Sequence, residues 1–296
     1  MERNYPIYDI CNLVTKKVSQ DLFNIDRFHG YLKNNPHMQS VHKHTFYHLV
    51  YFTKGNGQHI LDFETYPIEE GLIYFMRPNQ THQWLFDGEV DGYVINFSST
   101  FFDQLSISSH ILDNFPFFNL FSSNQVLTIK GIFRSKVIKL FEAMLKEVES
   151  SDDITSPLLI AAHLLQLFVL AERNIDRDYI VYNRSNHNST LVMKFLELIE
   201  EHFRELRLPK DYAAMLHVTS NHLNFVCQEH VNTSAGQLIR KRVLLEAKRL
   251  LVNFDLSIST IALNLNFFDP SYFIKFFKKH VGLTPEAFRK QYYNKA

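Results

Sequence analysis

Residues 270–290 read PSYFIKFFKKHVGLTPEAFRK, a helix-length run crowded with aromatic rings and lysines. At about 100° per residue, Phe273, Phe276 and Phe277 share one face, and Ser271, Lys275 and Lys278 the opposite one. Such a helix is amphipathic, with a cationic polar face. Its start is marked: Asp269 offers a carboxylate to the orphan amides of the first turn, and Pro270 costs nothing at the first helical position.

The same design occurs fifty residues earlier. SNHLNFVCQEHVNTS, from Ser220, aligns with PSYFIKFFKKHVGLT, so that Leu223, Val226 and Cys227 take the places of the three phenylalanines. Upstream, Tyr212-Ala213-Ala214-Met215-Leu216 precedes the first copy as Ile261-Ala262-Leu263-Asn264-Leu265 precedes the second. Each copy reads as a short helix, a tight turn and a second, capped helix, which is what a helix-turn-helix requires. The first helix braces; the second presents its N-terminal half to the major groove. Between the copies runs TSAGQLIRKRVLLEAKRLLVN, with Leu238, Ile239, Leu245, Leu250 and Leu251 on a core face and Arg240, Lys241, Arg242, Lys248 and Arg249 as its basic residues. A helix of about 18 residues is roughly 27 Å long, close to the ~34 Å of one DNA turn.

Charge supports this reading over a helical bundle that binds no nucleic acid. The chain has 31 Lys and Arg against 31 Asp and Glu, yet from Pro209 onward there are twelve cations against six anions. A neutral average conceals a basic C-terminal end on an acidic remainder, and a basic patch is the footprint of phosphate binding.

The segment from Leu238 to Arg289 resembles the DNA-binding domain of the AraC/XylS transcription regulators. The resemblance is carried by Ile261-Ala262, Asn266-Phe267, Asp269-Pro270-Ser271-Tyr272-Phe273, Lys275, Phe277-Lys278-Lys279, Gly282, Thr284-Pro285 and Phe288-Arg289, and by LEAKRLL from Leu245. Three positions depart from it. Asn266 replaces a usual glycine, and asparagine tolerates a left-handed turn. Lys275 replaces an arginine and cannot make the same bidentate fork to guanine. Phe225 stands at the equivalent place in the first copy, where it either touches a thymine methyl group or packs on a neighbouring helix. The residues expected to meet DNA are Ser220, Asn221, Asn224, Phe225 and Gln228 in one helix and Ser271, Ile274 and Lys275 in the other, with Lys278 and Lys279 on phosphates.

A chain of 296 residues is too long for this domain alone. Between about Phe28 and Ser98 it turns to short runs such as HLVYF, HILDF, LIYFM and YVINF, separated by turn formers, the pattern of a small barrel or sandwich. KGNGQ, from Lys54, reads as a hairpin. FRSKVIKLFEAMLKEVES and ITSPLLIAAHLLQLFVLAER then read as helices, the second with Ser156 as its cap. That second helix, with Leu158, Leu159, Ala162, Leu165, Phe168 and Val169, is apolar enough to demand cover, by the barrel or by another subunit. NRSNHNST has linker composition, and Leu191 begins the next helix with Ser189 or Thr190 as its cap.

The expected fold is α+β with two domains: a cupin-like effector-binding and dimerising β-barrel with helices over 1–175, a linker over 176–189, and an all-α domain with two helix-turn-helix motifs over 190–296. The front half resembles, by pattern, the cupin barrel that senses and dimerises in many of the same regulators. No secretory signal is read in the first thirty residues, the longest apolar run is broken by His163 and Gln166, and Cys11 and Cys227 fit reduced thiols, so a soluble cytoplasmic protein with no membrane partner is expected. Its expected partners are double-stranded DNA, a small-molecule effector, RNA polymerase and a second copy of itself.

VHKHTFYH supplies the remaining chemistry. His42 and His44, two apart on a strand, point to one side, and with His48 and the distant His82 they are arranged like the metal ligands of cupin enzymes. His48 stands where those enzymes have a glutamate, and no general base is nearby. The alternative to a regulator is therefore a metal-dependent cupin enzyme with a basic helical tail. The expectation here is no metal, no cofactor and no catalysis, with His42, His44, Tyr47, His48 and His82 either bordering an effector pocket or sitting in satisfied core positions.

Overall fold

The computed structural model describes residues 5–13, 22–119, 124–150, 153–175 and 187–293. It divides into two compact units, one spanning Pro6–Asp176 and the other containing Arg177–Ala296.

Among the described residues the first unit holds ten strands: β1 (Ile7–Tyr8), β2 (Phe23–Arg27), β3 (His42–His44), β4 (Tyr47–Lys54), β5 (Gly57–Leu61), β6 (Glu64–Ile68), β7 (Leu72–Met76), β8 (Thr81–Phe86), β9 (Asp91–Phe97) and β10 (Val126–Thr128). With them go the helices α1 (Phe28–Asn34), α2 (Ser99–Gln104), α3 (Ile132–Ser150) and α4 (Ser156–Arg173). The strands form two five-stranded sheets, ordered β1-β3-β8-β5-β6 and β10-β7-β4-β9-β2.

The second sheet separates two cores. Strand side chains alternate between faces, so Val50 and Phe52 of β4, Tyr74 and Met76 of β7 and Val94 of β9 point between the sheets, where they meet Phe28, Tyr31, Leu61 and Trp84. Leu49 and Tyr51, Ile73 and Phe75, and Tyr93, Ile95 and Phe97 point the other way, onto Val137, Phe141 and Met144 of α3 and Ile160, Leu164, Leu167 and Phe168 of α4. Covered on both faces, β7 is buried at all five positions, which is why its sequence, LIYFM, lacks a polar alternation. The apolar face of α4 is thus committed to this core, although by length and composition alone the helix could cross a membrane.

Three local expectations are corrected. KGNGQ is not a hairpin: β4 pairs with β7 and β9, β5 with β6 and β8, so this stretch carries the chain from one sheet to the other. Its glycines are needed for the crossing, because Gly57 has φ 141° and a Cβ there would lie 2.2 Å from the Leu85 carbonyl oxygen. The hairpin lies one strand on, where Asp62 and Phe63, both at positive φ, turn β5 into β6. Ser156 is not a cap but a buried first-turn residue whose hydroxyl donates to Glu147; Asp153 instead accepts from the Thr155 amide at 2.8 Å. Residues 28–34, at the start of the strand-rich region, form the helix α1 and not a strand.

The second unit is helical: α5 (His187–His202), α6 (Pro209–Met215), α7 (Ser220–Val231), α8 (Ala235–Leu251), α9 (Ile258–Asn264), α10 (Pro270–Val281) and α11 (Pro285–Tyr293). Residues 176–186 of the proposed linker lie outside the described residues. Its last three are already helical, since α5 begins at His187, so Ser189 and Thr190 lie within a helix and do not cap one. On α8 the buried face is Leu238, Ile239, Val243, Ala247 and Leu251, while Leu245 and Leu250 are only half-buried.

Candidate nucleic-acid interface and barrel histidine cluster

The two helix pairs close in the same way. After α6, His217 adopts φ 56° and the Val218 amide bonds the Ala213 carbonyl at 2.9 Å; after α9, Asn266 adopts φ 56° and the Phe267 amide bonds the Ala262 carbonyl at 2.9 Å. A left-handed residue followed by this long return bond is the Schellman ending of a helix. The second turn is one residue longer, and it carries a fully exposed Phe268. Thr219 then caps α7 by accepting from the His222 amide at 3.1 Å, and Asp269 caps α10 by accepting from the Ser271 amide at 2.8 Å. At the far ends Asn232 (φ 47°) and Gly282 (φ 84°) both turn left-handed, so asparagine makes the stop that glycine makes in the other copy.

Equivalent positions then share equivalent surroundings. Leu223, Val226 and Cys227 of α7 are buried, as are Phe273 and Phe277 of α10, with Phe276 half-buried. Opposite them Asn221, Phe225 and Gln228, and Ser271, Ile274, Lys275, Lys278 and Lys279, are exposed, whereas Ser220 and Asn224 are half-buried. Phe225, at 55 % exposure, is not packed on a neighbouring helix. The Asn224 side-chain oxygen accepts from the Ala235 amide at 3.0 Å, tying α7 to the start of α8. Gln228 donates to the Asn232 side chain at 3.0 Å.

Not every cation of this unit is offered outward. Arg242, 7 % exposed, donates to Glu200 and Glu246 at 3.0 Å each and lies 3.8 Å from the Phe203 ring centroid. Arg249 is buried as well. Arg289 donates to the carbonyls of Leu251 and Leu256 at 3.0 and 2.6 Å, closing the end of α8.

In the first unit β3 directs His42 and His44 to one side, as their spacing implies, and pairs His42 across the sheet with His82 of β8. The Nε2 atoms of His42 and His44 are 2.7 Å apart, and those of His44 and His82 3.1 Å. Around them, His42 Nδ1 lies 2.6 Å from the Ser40 carbonyl, and His82 Nδ1 lies 3.1 Å from His59 Nε2. His48 bonds the Asn96 side-chain oxygen through Nδ1, and Asn96 in turn donates to Asn24 at 2.8 Å. All five histidines are buried. Burial pushes His42 down to about 4 and His48 to about 3, and holds His44, His59 and His82 well below the ordinary imidazole value, so all are neutral at pH 7.

Tyr47 stands apart from this group. It directly precedes His48 on β4, so strand alternation sends it to the opposite face, where it stacks on Phe97 at 4.9 Å. His59 is the member that sequence reasoning missed. Its signal was parity: it shares the inward side of β5 with Leu61, a polar residue at a core position, and it stacks on Trp84 at 3.6 Å.

Comparison with known proteins follows the same division. Residues 28–168 match the family model of the AraC-like ligand binding domain, and residues 212–291 match that of a helix-turn-helix domain. The chain is 23 % identical over 255 residues to the HTH-type transcriptional activator RhaR of Mannheimia succiniciproducens, covering 86 % of this chain and 88 % of that protein. It is 26 % identical over 267 residues to RhaR of an Enterobacter species, covering 84 % and 86 %. Among solved structures it is similar to ToxT of Vibrio cholerae O395, with a TM-score of 0.43 and 15 % identity over 90 % of this chain and 96 % of that one.

Proposed function

Because this chain belongs to the AraC family of transcription regulators, we propose that α7 and α10 read two neighbouring segments of one DNA duplex under the control of an effector held in the barrel. It is a regulator and not an enzyme, as its activator relatives are. The observation that carries the two-segment reading is the equivalence of the copies: positions 221, 225 and 228 are exposed on α7 as 271, 275 and 278 are on α10, above turns closed by the same left-handed residue and return bond. An asparagine can pair with adenine, an exposed phenylalanine can rest on a thymine methyl group and a lysine can reach guanine, whereas the later lysines of the helix meet phosphates. Ser220, Asn221, Asn224, Phe225 and Gln228 therefore face bases from α7, Asn224 with its amide nitrogen. Ser271, Ile274 and Lys275 do so from α10, with Lys278 and Lys279 positioning the helix.

The division into a sensing unit of 1–175, a linker of 176–189 and a DNA-binding unit of 190–296 belongs to this proposal. So do assembly as a homodimer, action in the cytoplasm, contact with RNA polymerase and the absence of a membrane partner. The homodimer rests on α4, where Leu158, Ala162, Leu165 and Val169 recur at the 4, 3, 4 spacing of a coiled-coil seam, and Leu158 and Val169 are exposed. An effector acts only if it favours one arrangement of the protein over another.

The test is a titration of the purified protein against the DNA upstream of its own and neighbouring genes, with a random duplex as control, over a series of salt concentrations. Specific binding about a thousandfold tighter than the control, falling steeply with salt, is expected. Lys278→Ala should weaken binding to every duplex and flatten the salt slope, while Asn221→Ala should alter sequence preference; equal losses on specific and random DNA for both would defeat the division of roles.

A further inference from the structure

Three imidazole nitrogens converge in the barrel in a way that their own hydrogen bonding does not satisfy. His42 Nδ1 at 2.6 Å from the Ser40 carbonyl must carry the proton of that ring, since a carbonyl only accepts. His42 Nε2 is then a bare lone pair, and its 2.7 Å approach to His44 Nε2 requires the proton to sit on His44. The 3.1 Å contact between His44 Nε2 and His82 Nε2 requires that same proton. No assignment of neutral tautomers gives both contacts a proton of their own. Beside them His48, committed through Nδ1 to Asn96, has a buried Nε2 lone pair without a partner among the described residues, its ring 4.6 Å from that of His44.

We propose that His42, His44 and His82 bind a divalent first-row transition ion of the zinc, cobalt and nickel type, with His48 as the neighbouring fourth donor. A cation removes the conflict, because all three Nε2 atoms can then present lone pairs. Nitrogen ligands at ~2.1 Å from one ion lie about 3.0 Å apart in octahedral and about 3.4 Å apart in tetrahedral geometry, so the 2.7 and 3.1 Å separations found here open by a few tenths of an ångström on binding. The supporting bonds are of the kind that fix imidazole ligands: the Ser40 carbonyl sets the tautomer of His42, and His59 receives the Nδ1 proton of His82. The donors are all imidazole, which selects borderline metals over calcium or magnesium. The ligating atoms of His42, His44 and His82 lie within 4.8 Å of one another. Resting on the reading of the barrel as the effector domain, this names the effector as the ion itself.

The experiment uses the full chain, free of any histidine tag and stripped with chelator, titrated with Co2+ and followed by its d–d absorption, with Zn2+ as competitor and Mg2+ as control. One equivalent of Co2+ displaced by Zn2+ but not by Mg2+, with nitrogen-only scattering at the cobalt edge, is expected. His82→Gln and His42→Asn should lose the signal while keeping the far-ultraviolet dichroism of the parent. The X-ray absorption spectrum of the parent protein decides the matter even where a variant does not fold. No stoichiometric uptake, or uptake with oxygen ligands, would overturn the site while leaving an organic effector open to the barrel. Operator affinity is then measured with and without Zn2+. A change of tenfold or more is expected, and tight metal binding with unchanged affinity would overturn the ion as effector but leave the site standing.

Discussion

Arg242 shows how little a positive charge says until its surroundings are known. It belongs to the basic run of the connecting helix, yet it is buried between Glu200, Glu246 and the ring of Phe203. Arg242→Ala leaves the partly buried Glu200 without its partner and Glu246 with Arg204 at 3.4 Å, a loss on the order of 3 kcal/mol, so urea unfolding should shift to lower midpoint. Lys278, exposed on α10, should show the reverse: no change in that midpoint, and a clear change in DNA affinity. The histidines give a second residue-scale prediction for the metal-free protein. Their folded pKa values lie below the unfolded value of 6.5, to about 4 for His42 and about 3 for His48, so below pH 6.5 the unfolded chain takes up protons that the folded barrel refuses. Stability is complete above pH 6.5 and falls as the pH drops toward 4, by about 1.4 kcal/mol per pH unit for each such histidine. Thermal melts from pH 8 to pH 4 check this, and a flat profile would contradict it.

Among the elements, the paired ends of the recognition helices make the sharpest comparison. Gly282 and Asn232 hold the same left-handed turn, and nothing lies within 4 Å of a Cβ added at 282. Gly282→Ala should therefore cost only the conformational penalty, about 1 kcal/mol, and Asn232→Gly should be near neutral, both read from denaturant midpoints. The ends of α10 were legible in the sequence because Asp269, Pro270 and Gly282 each have one dominant local role. The two turns were less so: the copies align at an offset of fifty in the second helices, yet the first helices pair one residue differently, and His217 offers no sign of its left-handed backbone. KGNGQ failed as a hairpin for a related reason. Glycines report that the chain must bend, but which strand it joins next is decided by cores on either side of a sheet. The histidine cluster was half visible, since strand parity relates His42 to His44 and excludes Tyr47, while His59 enters only through the pairing of β5 with β8.

At the scale of the whole molecule, charge and apolar surface are divided between the units. The region from Pro209 onward holds twelve cations against six anions, leaving the remainder of the neutral chain equally acidic. The acidic unit does not gain by lying on DNA, and the apolar residues exposed on α4 are where the proposed second copy would meet it. Leu158→Lys with Val169→Lys should dissociate the proposed homodimer in sedimentation velocity without lowering the melting temperature of the barrel, since both side chains are exposed. Operator affinity should then fall with loss of the second copy's contacts.

Strand β4 acts as a partition wall between two close-packed interiors. His48, Val50 and Phe52 face one room, and Leu49 and Tyr51, the latter stacked on Phe141 of α3, face the other. Because protein interiors yield little to compression, a small displacement of this backbone by whatever occupies the histidine side must be taken up by the helices on the far side. Those include α4 with its exposed stripe, so a change felt at His48 has a direct mechanical route to the surface where a second copy would sit.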